Sequence, residues 1–251
     1  MMKLVRAELL KIRSTRMWIG LLFGAVALTG LGAIATLAVA GTAQGAQAGL
    51  LPVRSVQDVA DLVYTSSAAG IFAMILGAVA STGEYRSGTI AGTFLATPSR
   101  SPVIVGKVVA AGVVGFAFGI GCALIPFVSA EIYLSVKGLP LAFGSSVLLA
   151  VLVVGAMGAS SGAIGAGIGA AIRSQLVAIL GLLGWGLVVE QLIGGLLPDW
   201  RKWLPFLGAQ TSLAQQDPTL LKPLPGGLLL IGYVVLALAI GMFVTRERDI
   251  S

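Results

Sequence analysis

The sequence predicts an all-α membrane protein of six transmembrane helices with both termini in the cytosol, and three observations carry that expectation. Of 251 residues, 57% are hydrophobic and only 10% charged, which leaves more apolar surface than a water-soluble domain can hide. The apolar residues fall into six runs of about 18 or more, long enough to cross roughly 30 Å of hydrocarbon. The basic residues sit between the runs rather than within them.

The runs are read as Met17 to Ala40, Val63 to Thr82, Val108 to Leu134, Gly144 to Ile172, Leu176 to Leu197 and Gly226 to Val244, forming one transmembrane domain over residues 1–251. With the N-terminus inside, the cytosolic segments hold Lys3, Arg6, Lys11, Arg13, Arg16, Arg86, Arg100, Lys107, Arg173, Arg246 and Arg248, eleven of the 16 basic residues. Arg54, Lys137, Arg201, Lys202 and Lys222 fall outside. This is the positive-inside bias, and the residues before the first span weigh most in it. The net charge of +6 is therefore topogenic, and no nucleic-acid partner is expected. Histidine is absent and the single cysteine, Cys122, lies in an apolar run. The commonest metal ligand, the commonest general base and any intrachain disulfide are thereby excluded.

Ahead of the first span, Met2, Val5, Leu9 and Ile12 recur on one helical side, with Lys3, Ala7 and Lys11 on the other. That pattern describes an interfacial helix whose apolar stripe enters the headgroup boundary; a plain charged tail is the alternative. The first span ends Ala38-Val39-Ala40, which has the form of a signal cleavage site, but the run exceeds a signal h-region and an uncleaved span is the better account. Before the second run, Ser55 and Asp58 have capping-box spacing, predicting a helix that feeds directly into the span.

The loop after the second span, Gly83 to Arg100 and on to Lys107, is the most informative stretch. Glu84 and Arg86 end the membrane run, and Ile90, Phe94 and Leu95 recur at helical spacing among polar residues. The pattern predicts a short amphipathic helix under the bilayer, ended by Pro98 and Pro102, and a connector with such a face points to a protein partner.

These residues resemble the permease subunits of bacterial type-2 ATP-binding cassette (ABC) exporters. Glu84, Arg86, Gly88, Thr89, Leu95, Pro98, Arg100 and Lys107 follow that family's loop, and Glu8 to Arg16 is similar to its usual opening helix. The resemblance implies that Glu84, Arg86, Gly88, Thr89, Phe94, Leu95, Pro98 and Arg100 form an ATPase-coupling loop. It implies a separate ABC ATPase subunit as partner, a second copy or related permease forming a dimer, and ATP with Mg on the ATPase. No G-x-x-x-x-G-K-[ST] loop occurs in the sequence, so no cofactor is expected on this chain. No nucleophile–base pair or catalytic cluster is present either, so no chemical catalysis is expected, and the resemblance implies a transport subunit of the plasma membrane rather than an enzyme. Amphipathic cargo, such as a peptide antibiotic, drug or lipid-like molecule, is the expectation for the substrate.

Within the membrane, glycines pair at four-residue spacing as Gly20 with Gly24, Gly115 with Gly119, Gly158 with Gly162 and Gly165 with Gly169. They permit close helix contact, either between copies or within the chain. Glu131 and Glu190 interrupt the runs and are candidates for function by default, Glu190 as part of a substrate path. After the fifth span, Trp200, Trp203 and Phe206 stand with Arg201 and Lys202 between them, fitting an interfacial belt or, as the resemblance implies, an outer gate that dips back as short helices. Two further classes fit the six-span pattern: a secondary carrier of inverted three-span halves, and a non-transporting immunity or scaffold protein.

Overall fold

A computed structural model describes residues 1–47, 52–89, 100–172, 174–214 and 217–247. A short helix, α1 (Met2–Ser14), precedes the first span, α2 (Met17–Val39). The five-residue α3 (Ala43–Gln47) follows, and the second span is built from α4 (Val56–Tyr64) and α5 (Ala68–Ser87). Then come α6 (Arg100–Val136), α7 (Ser145–Ala171) and the fifth span, α8 (Gln175–Gly184) with α9 (Glu190–Leu196). The one-turn α10 (Pro198–Arg201) and the last span, α11 (Pro223–Glu247), complete the order. Six helices are long and apolar enough to cross a membrane, at the places expected.

Spans 2 and 3 are longer than their apolar runs. The capping box is formed: the Ser55 hydroxyl accepts from the Asp58 backbone N–H, and Asp58 Oδ2 accepts from the Ser55 N–H at 2.8 Å. That cap starts the helix at Val56, seven residues before its apolar run. A 3-10 turn at Thr65–Ser67, with Ser66 at ψ 19°, kinks it where α4 meets α5. At the other end of the connection, α6 begins at Arg100 and holds Pro102 in its first turn. Proline there opens a helix instead of ending one, because first-turn N–H groups have no intrahelical acceptor. At 37 residues α6 is roughly 55 Å long, well beyond the hydrocarbon thickness.

Span 4 is the centre of the bundle, packing against spans 2, 3 and 6. Its glycines make this possible. A Cβ on Gly158 would land on the Gly115 carbonyl oxygen, one on Gly165 on the Met74 carbonyl, and one on Gly162 2.6 Å from the Ala111 carbonyl. Gly115, Gly119 and Gly169 face backbone in the same way, whereas Gly20 has open space beside it. The spacings on spans 3 and 4 are therefore intrachain contacts, the second of the two readings given above. Gly158→Val and Gly165→Val are expected to destabilise the detergent-purified protein by about 1–3 kcal/mol or more, since backbone cannot yield as side chains do. Gly20→Val should leave its melting temperature unchanged.

Candidate functional site

Two constellations stand out, one at each end of the bundle. The first lies at the end that carries the N-terminus, where α1 packs on spans 2 and 3. Val5, Leu9 and Ile12 join Leu76, Ala110 and Phe118 in one apolar cluster, so this stripe faces protein and not the headgroups. Met2, assigned to the same stripe, is exposed instead. The expectation of a helix sunk by its stripe into lipid is corrected on that point.

The same face of α1 carries Glu8, which is 5% exposed. Its carboxylate meets Lys107 Nζ of α6 at 2.9 Å and Lys11 Nζ at 2.6 Å. Glu84, near the end of α5, pairs with Lys107 at 3.0 Å and with Lys11. Two carboxylates and two ammonium groups thus alternate around one site. Lys107 is the deepest, with its side chain 2% exposed, while Lys11 reaches in from the rim at 43%. Burying an isolated charge here would be prohibitive, but in the quartet each charge stands against two of opposite sign. Burial works against the charge of Lys11, yet its hydrogen bonds to Glu8 and Glu84 and their attraction outweigh this and raise its pKa. A raised lysine pKa stabilises the fold at all pH below the lysine's ordinary value and is lost only in strong alkali. Across neutral pH the contribution of Lys11 is therefore constant.

The residues assigned to the coupling loop divide accordingly. Glu84 is not on an exposed loop: it is a buried member of a span helix, so its substitution would test folding and not docking. Arg86 and Thr89 are exposed, and Gly88, at φ +68°, ends α5 in the left-handed conformation that glycine adopts freely. Arg100 is the first residue of α6. Phe94, Leu95 and Pro98 lie outside the described residues, and with them the predicted short helix.

The second constellation lies at the opposite end. After α10 the chain turns back, and a π-helical turn, Pro205–Gln210, enters the bundle. Glu190 holds its leading end. The carboxylate, fully buried, accepts the backbone N–H groups of Phe206 at 3.1 Å and Leu207 at 2.6 Å, and the Trp185 indole N–H at 2.8 Å. A helix start offers such free donors to an anion, so an intramembrane carboxylate needs no basic partner here. A second π-helical turn, Trp185–Val189, directly precedes Glu190 in span 5; one such insertion rotates the following residues and is common at functional places. At the trailing end, Gln210 Nε2 donates to the Met157 carbonyl at 3.0 Å and to Ser161 Oγ at 3.2 Å.

Beneath this returning segment is a cavity of 430 Å³ between spans 2, 4 and 5. Ile71, Met74, Met157 and Leu187 give it apolar walls, and Ser161 and Gln210 a polar side. Its mouth carries the ion pair between Arg201 and Asp217, 2.8 Å apart. Hydrogen bonds from Thr219 and the nearby guanidinium hold the Asp217 carboxyl below its ordinary pKa. Of the aromatic residues assigned to a gate or path, Phe206 lines the cavity, while Trp200 and Trp203 are 62% and 50% exposed and stand outside it. Lys202 lies 5.9 Å from the Trp203 ring, the arrangement of an interfacial anchor. Glu190 does not line the cavity either; it positions Phe206 and Leu207, which do. Glu131, the other intramembrane acid, accepts the Ala142 N–H at 3.1 Å, tying α6 to the connection before α7.

Sequence reasoning missed the quartet. The usable signal was Glu8 itself, an acid that shares a helical side with Val5 and Ile12 and so breaks the apolar stripe. No match is found among curated proteins. The family model for the ABC-2 family transporter protein matches residues 2–200, from α1 to the start of α10. A six-span chain matched over most of its length is placed among ABC transporters, not secondary carriers: it belongs to the ABC-2 transporter family, as a multi-pass membrane permease subunit.

Proposed function

We propose that this permease subunit serves an ATP-driven exporter of the plasma membrane, moving an amphipathic molecule out of the cytosol. Both termini and the charge quartet lie in the cytosol, and the returning π-turn and its cavity face outside. Two copies, or this chain and a related permease, pair within membrane lipid. ATP and Mg are bound by separate ABC ATPase subunits that dock on the loop from Arg86 to Arg100. The single observation that carries this reading is the buried quartet. It joins α1, the last turn of α5 and the first turns of α6, the two helix ends that flank the loop. A loop anchored so firmly at both roots can pass a push to the spans, whereas a slack connector would absorb it. The cavity supports the substrate class: apolar walls with few polar groups favour a molecule that is itself part apolar.

The test is co-purification of a co-expressed ABC ATPase partner, together with ATP hydrolysis in reconstituted vesicles. Phe94→Asp should abolish both, because a charge would replace an apolar anchor at the contact. Gly88→Pro should do the same, since proline cannot take φ +68°. Neither change should lower the stability of the permease alone by more than about 1 kcal/mol, since Gly88 is exposed at the end of α5 and the loop is expected to make its contacts with the ATPase. Undiminished co-purification and hydrolysis in both variants would overturn the docking role of the loop.

A further inference from the structure

A second concave site, separate from the cavity described above, lies at the end of the bundle away from α1. It is a groove of 960 Å³ between the ends of α2 and α6, closed on one side by the segment Pro52 to Arg54. Its walls are apolar, and several of them face outward: Ile34, Ile132 and Val136 are 61%, 60% and 80% exposed. In a membrane-spanning chain those faces meet hydrocarbon, so the groove opens to the acyl region. Its rim is different. Arg54 and Lys137 both line it, together with Tyr133, Thr42 and Ser129.

Among the described residues, no carboxylate pairs with the side chain of Arg54 or of Lys137. Asp58, close in sequence to Arg54, is committed to the capping box, where one of its oxygens takes the Arg54 N–H at 2.9 Å and both the N–H and hydroxyl of Ser55. Glu131 spends one oxygen on the Ala142 N–H and does not line the groove. Lys137 has only the ring of Tyr133, 5.8 Å away. Two uncompensated cations thus stand at the polar mouth of an apolar slot. Both also stand on the side where the positive-inside bias disfavours basic residues, so topogenesis does not account for them.

We propose that this groove holds an anionic phospholipid, its phosphate between Arg54 and Lys137 and one acyl chain along Ile34, Ile132 and Val136. The rim hydroxyls of Thr42 and Ser129 already donate to the Val39 and Ile125 carbonyls, so toward the lipid they act as acceptors, for hydroxyls of the headgroup. A zwitterionic lipid fits the slot equally well but returns a positive choline to a site that already holds two cations. Selectivity therefore rests on headgroup charge, and the site binds from the membrane, not from water.

Native mass spectrometry of the purified full-length protein, titrated with phosphatidylglycerol or phosphatidylcholine, reads the selectivity. The wild type should retain phosphatidylglycerol in preference. The double variant Arg54→Gln/Lys137→Gln should bind it roughly tenfold to thirtyfold more weakly, the product of two surface-type lysine or arginine contacts. Lys222→Gln, an exposed cation of the same end, should bind as the wild type does. Location is read separately by brominated phosphatidylglycerol, which should quench a fluorophore on Ile132→Cys in the wild-type background and not in the double variant. Equal retention of the two lipids, equal loss in the Lys222 variant, or displacement by inorganic phosphate would each overturn the proposal. Absence of quenching at Ile132 would overturn it too, as expected if a second copy of the chain covers the groove. Both substituted side chains are at the surface, and an unchanged melting temperature keeps loss of binding separate from loss of fold.

Discussion

Lys107→Met is expected to cost the purified permease about 3–5 kcal/mol of stability, the usual penalty for removing one partner of a buried ion pair. The reason is what remains. Without Lys107, Glu8 and Glu84, both buried, share Lys11 alone, and Lys11 sits at the rim with its side chain 43% exposed. The methionine fills the space of the lysine stem, so the loss reports charge and not a cavity. Adding Glu84→Gln to Lys107→Met leaves one pair, Glu8 with Lys11, and should restore more than half of the loss. Melting curves of the three proteins in one detergent decide the matter. A single variant as stable as the wild type would show that the quartet contributes nothing to holding α1 on the bundle. Arg86→Ala, on the exposed side of the same helix end, should change the melting temperature little.

The second large effect is expected at Glu190. Its carboxylate accepts at both oxygens, and glutamine offers one acceptor with an amide that opposes N–H donors. Glu190→Gln should therefore leave one or two of the donors on Trp185, Phe206 and Leu207 unsatisfied, at about 1–3 kcal/mol. Glu190→Lys has no acceptor at all and should prevent recovery of folded protein. The local consequence can be read by a cysteine at Ala209, a fully buried position of the returning turn, in a Cys122→Ala background. A membrane-impermeant maleimide should label it slowly in the parent and several-fold faster with Glu190→Gln, as the turn loosens. Equal labelling rates would mean that the turn is held from its Gln210 end alone.

These two sites also mark where the sequence was readable and where it was not. Period and length placed all six spans, because crossing hydrocarbon demands a run that nothing else in the chain imitates. The Ser55–Asp58 box was legible since both of its partners lie within one turn. Glu190 was visible as an exception to its apolar surroundings, yet its partners were not. Besides the Trp185 indole, five residues back, they are backbone N–H groups 16 and 17 residues onward, which carry no residue signature. The quartet failed differently. Glu8, Lys11, Glu84 and Lys107 were all noticed, but as topogenic charges or loop landmarks, and their separations of up to 99 residues hide that they meet. Only the fold supplies that contact. The aromatic trio shows the same limit at short range: composition grouped Trp200, Trp203 and Phe206, whereas the chain reversal at Leu204 sends Phe206 inward and leaves both tryptophans facing out.

The quartet has one more consequence, for the order in which the chain is made. Glu8 and Lys11 leave the ribosome first, Glu84 after the second span has begun to insert, and Lys107 only as the third follows. Until then the nascent permease carries two carboxylates against one ammonium at this place, and α1 lacks its deepest partner. The docking of the first helix is thus a late event of biogenesis although its residues are synthesised earliest. A chain interrupted before Lys107 is left with an unbalanced acidic pair where the finished protein has none.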